Sequence, residues 1–120
     1  MPGTFTIGAT LTAAVAENVG PSVSTTKAIA LTSDLTSDGI QSIATAATAL
    51  TFGNITGAPA VVYIQNLDAT NYVEIDSSNT FVNFPQKIPA GAAIALLVQT
   101  GTIYGRANTS AVRCRIVAAK

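Results

Sequence analysis

The chain has 120 residues, enough for one core and not two, and 48% of them are apolar while only 10% are charged, against about 25% in an ordinary soluble domain. Six Lys and Arg balance six Asp and Glu, so the formal net charge is zero and the basic face that a nucleic-acid partner requires is missing. No run approaches the ~18 consecutive apolar residues of a membrane span, and a single cysteine excludes an internal disulfide.

Aromatic residues contribute 6% and Trp is absent, so the core must be built from Val, Ile, Leu and Ala, which favours sheets. Twelve charges must serve a surface of about 6,000 Å² for a compact monomer of this mass. Either Thr, Ser and Asn supply the missing polarity or other subunits cover part of the surface. Zero net charge removes repulsion between copies and favours the second reading.

Residues 4–15 alternate strictly, with Phe5, Ile7, Ala9, Leu11, Ala13 and Val15 on one side and Thr4, Thr6, Gly8, Thr10 and Thr12 on the other. That period of two predicts a strand. Ala14 and Ala16 have the small-residue spacing of a signal cleavage site, but no Lys or Arg precedes them, so the strand reading is preferred. Gly20 and Pro21 break the chain; residues 22–31 then read as a second strand and 32–39 (TSDLTSDG) as a turn. Over residues 40–52, Ile40, Ile43, Ala44, Ala47 and Leu50 fall near helical spacing, with Asp38 as a cap. The Thr content and the β surroundings favour a strand or irregular extension there.

Residues 60–65 (AVVYIQ) and 72–75 (YVEI), separated by the turn-rich 66–71 (NLDATN), predict a hairpin with a long loop. Residues 76–79 turn the chain again, 80–84 predict a short strand, and 93–98 (AIALLV) a fully buried one. After 102–107 (TIYGRA), the segment 112–118 alternates again: Val112, Cys114, Ile116 and Ala118 share one side, Arg113 and Arg115 the other. Eight or nine short strands near ten-residue spacing predict an all-β, single-domain β-sandwich over residues 1–120, jelly-roll-like in type. Residues 1–15 serve either as part of it or as an extended N-terminal strand or arm.

Chemistry is sparse. The chain has no His, the commonest general base and neutral metal ligand. Cys114 lies on an apolar face without an imidazole and reads as core. Asp34, Asp38, Asp68, Glu74 and Asp76 show no spacing that selects a glycosidase pair. Asp68, Asn71 and Asp76 have the oxygen chemistry of a calcium site, but Asx turns account for them more simply. Tyr63, Tyr72, Tyr104, Phe81 and Phe84 suit core packing better than a sugar-stacking platform. The expectation is no enzyme, no cofactor and no metal. Arg113 and Arg115, joined by Arg106, form the one basic cluster in the sequence, read either as a solvated face or as a subunit contact.

The second half of the chain carries, in order, VVYIQNLDATNYVEID, KIPAGAAIALLV and TIYGRANTSAV. This ordered set resembles small virion proteins encoded among the structural genes of tailed bacteriophages. The resemblance implies a β-sandwich building block on the virion: a capsid decoration, or cement, protein that stabilises the head, with a small tail or head-tail connector component as the runner-up. It brings no catalytic or ligand residues. A carbohydrate-binding module is the alternative from another class. The expected partners are further copies of the chain, a trimer by preference, and the major capsid protein, with no nucleic acid and no membrane. The virion, assembled in the host cytoplasm, is the expected location. Phe5, Ile7, Arg106, Arg113 and Arg115 are the expected contact residues. Strand 1–15 is long enough to add to a neighbour's sheet edge.

Overall fold

The computed structural model describes residues 4–14, 19–31, 35–98 and 102–120. Every regular element among them is a strand: β1 (Thr4–Ala14), β2 (Val19–Ala30), β3 (Thr36–Ile43), β4 (Thr48–Ala49), β5 (Val61–Asn66), β6 (Val73–Asp76), β7 (Gln86–Ile88), β8 (Ala93–Leu97), β9 (Tyr104–Ala107) and β10 (Val112–Ala119). With no helix among the described residues, none is long and apolar enough to cross a membrane.

Strands β3 to β10 form two four-stranded sheets, the first in the order β3-β10-β5-β8 and the second in the order β4-β9-β6-β7. Every pairing is antiparallel. The partners nest, β3 with β10, β4 with β9, β5 with β8 and β6 with β7, as though one long hairpin had been folded across itself. That nesting defines a jelly roll. The chain is thus an all-β sandwich, as the alternation and turn spacing predict.

The core lies between the sheets. Ile43, Val62, Ile64, Val112, Cys114, Ile116 and Ala118 point inward from the first, and Val73, Ile75, Ile88 and Ala107 from the second. A Cβ on Gly105 would lie 3.1 Å from Ile43 Cγ2 and 3.2 Å from Ile75 Cδ1, so a side chain there would crowd these two core isoleucines. In the turn before β8, Ala92 N–H donates to Pro89 O at 3.0 Å. Gly91 takes the left-handed position (φ 76) that a type II turn needs.

The remaining strands, β1 and β2, pair only with each other, in a regular antiparallel ribbon running from Thr4 opposite Ala30 to Thr12 opposite Ser22. This ribbon belongs to neither sheet. Total accessible surface is 7160 Å², roughly 1,100 Å² above the compact expectation. The radius of gyration of 15.5 Å likewise exceeds the about 14 Å of a compact chain of this length.

Several expectations change. Residues 36–39, read as part of a turn, open β3 and pair with Ala119 to Ile116; residues 32–34 lie outside the described set. The 60–65 and 72–75 strands are not a hairpin, because β5 lies in the first sheet and β6 in the second. Residues 80–84 are a loop, with Phe81 in the left-handed region (φ 55). Strand β8, expected to be fully buried, alternates between exposed and half-buried because it is the outer strand of its sheet. The described strands number ten, not eight or nine.

Cys114 is fully buried, and burial pushes its thiol up to about 11. It should resist thiol reagents in the native protein at neutral pH and react on unfolding. Cys114→Ser should lower stability by about 1–3 kcal/mol in denaturant titrations; rapid labelling of the folded chain would show that β10 is out of register.

Candidate interaction surface

The outward residues of the first sheet include Tyr63 on β5 and Arg113 and Arg115 on β10, which follows from the alternation from residue 62 to 66 and from residue 112 to 116. Arg115 is not a free cation. Its Nε donates to Asp38 Oδ1 at 2.9 Å and its Nη2 to Asp38 Oδ2 at 2.7 Å. The fork-on-carboxylate geometry is good, and the Arg115 hydrogen bond holds the Asp38 carboxyl below the usual range. Both side chains are about half exposed (49% and 52%), so the pair aligns β10 with β3 more than it stabilises them. Arg113 is exposed on the same face.

Arg106 lies elsewhere. On β9 it projects from the second sheet directly opposite Glu74, and its Nη2 stands 2.7 Å from Glu74 Oε2. The single basic cluster expected from the sequence is therefore split between two sheets. Adjacency in sequence order says nothing about which sheet a strand joins.

Arg106 also stacks over the Phe81 ring at 4.3 Å, and Lys87 over the Tyr72 ring at 4.1 Å, a cation–π arrangement. Two of the five candidate sugar-stacking rings are thus already covered by cations, Tyr63 belongs to the other sheet, and Phe81 is buried. The rings do not form one platform.

Loop 77–85 is held by Asp76. Its Oδ1 accepts the amides of Ser77 at 2.8 Å and Phe84 at 3.2 Å, and its Oδ2 accepts that of Asn83 at 3.0 Å. Burial raises the Asp76 pKa, and the amides of Phe84, Asn83, Ser77 and Ser78 outweigh it, leaving the carboxyl below its ordinary value. This clamp keeps Phe81 inside in a backbone region that bulky residues avoid. It also leaves Val82 and Phe84 outside, 73% and 78% exposed.

Asp68 has a similar task. Its Oδ1 accepts the amides of Asn71 at 2.7 Å and Thr70 at 2.8 Å, and the Asn71 amide, then the Thr70 amide, depress its pKa. Asn71 in turn accepts from Thr109 Oγ1 and donates to Ser110 Oγ. Asp68 and Asn71 are therefore turn-forming residues, as expected. Among the described residues no group of three or more His, Cys, Asp or Glu side chains gathers as a metal site would need. Asn66, which the sequence offers only as a turn residue, is fully buried. Its Nδ2 donates to Asn71 O at 2.8 Å and Ile88 O at 3.1 Å, and its Oδ1 accepts the Asp68 amide.

The ribbon supplies the other two expected contact residues. Phe5 pairs in register with Ile29, and Ile7 with Lys27. Ile7 and Ile29 are half-buried, while Thr4, Thr6, Gly8, Ala9, Thr10 and residues 24–28 are exposed. An open cleft of about 450 Å³ separates Thr6, Ile7 and Gly8 from Tyr63, Ala95 and Val117 of the first sheet. The ribbon therefore crosses that sheet without sealing onto it. Around a second cleft, near the end of β8, Leu97 is 60% exposed beside Phe84. The sandwich thus combines hydrogen-bonded polar loops with exposed apolar side chains and a ribbon outside both sheets.

No protein-family model, no curated protein and no solved structure matches the chain.

Asp38, Asp68 and Asp76 all have depressed folded-state pKa values. The stability they contribute is present above the ordinary carboxylate range and is lost as pH falls below about 4, through the depressed values. Thermal midpoints followed by circular dichroism should hold steady from neutral pH and fall in that acid window. Asp76→Ala should lower the midpoint at neutral pH and make the acid decline shallower; an unchanged midpoint would mean that loop 77–85 is held by other contacts.

Proposed function

We propose that the chain is a structural protein of a tailed-phage virion, a capsid decoration subunit that works by packing against copies of itself and against the capsid shell. The observation that carries this reading is the β1–β2 ribbon outside both sheets. The chain as a whole has about 1,100 Å² more surface than a compact monomer of this mass, comparable to the roughly 800 Å² that each partner contributes to a standard interface.

Three further features support it. Jelly rolls recur in viral capsid and lectin domains. With 10% charged residues and zero net charge, copies do not repel one another. Four of the twelve charged residues pair within the chain, Arg115 with Asp38 and Arg106 with Glu74. A decoration subunit binds many equivalent sites, and a ribbon that belongs to neither sheet lets each copy engage a neighbour. A closed ring, a trimer by preference, meets a threefold position on a shell.

Quantitative mass spectrometry of gradient-purified virions tests this. Decoration predicts a copy number of the same order as the major capsid protein. A few copies per particle would place the chain in the tail or connector, and absence from virions would overturn the proposal.

A further inference from the structure

Among the described residues the sheets and the ribbon leave six strand edges open: β1 and β2 of the ribbon, β3 and β8 of the first sheet, and β4 and β7 of the second. An open edge presents a row of unpaired N–H and C=O groups, and proteins ordinarily guard such edges with charge, proline or shortness. Four of the six are guarded. Strand β2 contains Pro21 and Lys27. Strand β3 carries Asp38, and Gln41 lashes the segment after β4 along it, donating to Ala49 O and accepting from Thr51 N, both at 2.9 Å. Strand β4 has two residues, and β7 has three, centred on Lys87. The other two edges have no guard. Strand β1 runs for 11 residues and β8 for five, with neither a charge nor a proline in either.

From these edges we infer that β1 of one copy adds to the β8 edge of a second copy, extending that copy's first sheet to the order β3-β10-β5-β8-β1-β2, the last two strands coming from the neighbour. An isolated two-stranded ribbon is marginal in water, whereas in this arrangement it becomes part of a six-stranded sheet. Pairing β1 with β1, or β8 with β8, would satisfy one unguarded edge and leave the other bare; pairing β1 with β8 satisfies both. Such a contact is head-to-tail; repeated, it makes a ring where the rotation between copies closes and a filament where it does not.

The chemistry beside the two edges agrees. The backbone supplies affinity in strand addition and alternate side chains supply the fit. Next to β8, Leu97 and Phe84 offer exposed apolar ground, which the ribbon of the incoming copy would cover. Lys27 is the one charge in β1 and β2, so no ionic pattern directs the ribbon to a partner of opposite sign. The surplus surface of the chain is about that of one side of a standard interface. A second copy of this chain, itself of zero net charge, is the occupant these features fit. The inference rests on the reading of the chain as an assembling subunit and not on the capsid as its destination.

The test uses the full chain, with buried Cys114 as an internal reporter of folding. Ala95 is exposed on β8, on the side that faces the cleft beneath the chain's own ribbon, so Ala95→Lys places a charge beside the open edge and outside the core. Sedimentation should show self-association weakened by about tenfold or more, with Cys114 still protected. In mixtures of a Thr10→Cys chain and an Ala95→Cys chain, a short bis-maleimide should join the two kinds of chain in preference to like with like. A wild-type chain that sediments as a monomer, an unchanged association in Ala95→Lys, or cross-links mainly between identical chains would each overturn the inference. Monomers that nevertheless copurify with virions would overturn it and leave the decoration role standing. Rings that cross-link as expected but are absent from virions would do the reverse.

Discussion

Strand β10 is the constraint on which the sandwich rests. It pairs along its length with β3 on one side and along six residues with β5 on the other. Its inward residues Val112, Cys114, Ile116 and Ala118 are all buried. Since β3 opens the jelly roll and β10 closes it, the first sheet forms only when residues some 75 positions apart meet, as Arg115 and Asp38 do. Contacts of such sequence separation cost loop entropy before they return stability, so folding of this topology is slow and exposes strand edges on the way.

What the core does not hold, polar side chains do. Asn66, Asp68 and Asp76 each bind backbone amides or carbonyls of the loop that follows, and no buried side-chain polar atom among the described residues lacks a partner. Asn66 and Asp68 shape the crossing from β5 in the first sheet to β6 in the second, and Asp76 shapes the β6–β7 loop within the second, offering residues 77–85 two acceptor oxygens. Asp68 and Asp76 are thereby both engaged in holding the loops that follow them.

The same economy shapes the surface. Charges that pair within the chain leave long uncharged stretches on β1, β8 and the tip of loop 77–85. For a free monomer such edges are a liability; for a subunit they are the contact itself. The ribbon pairs β1 with β2 alone, with one register shift between Thr12 and Ala14, and joins neither sheet.

The local pattern was enough to place most of this. Period two in residues 4–15 and 112–118 identified β1 and β10, the faces of Val112, Cys114 and Ile116, and the core position of the lone thiol, because alternation is a property of a single strand. Turn residues marked the ends of β5 and β6 for the same reason. Alternation does not say which strand lies beside which. Residues 60–65 and 72–75 have the grammar of a hairpin yet belong to different sheets, since buried Asn66 carries the chain across. AIALLV has the composition of a central strand, but β8 is an edge, and only the pairing order makes it one. Residues 80–84 contain strand-forming Phe and Val but are captured as a loop by a carboxylate that precedes them. Arg106 was separated from Arg113 and Arg115 in the same way. Side-chain alternation is local and survives in the sequence, whereas sheet membership and edge exposure are settled by contacts between distant segments, whose energies no short window of residues contains.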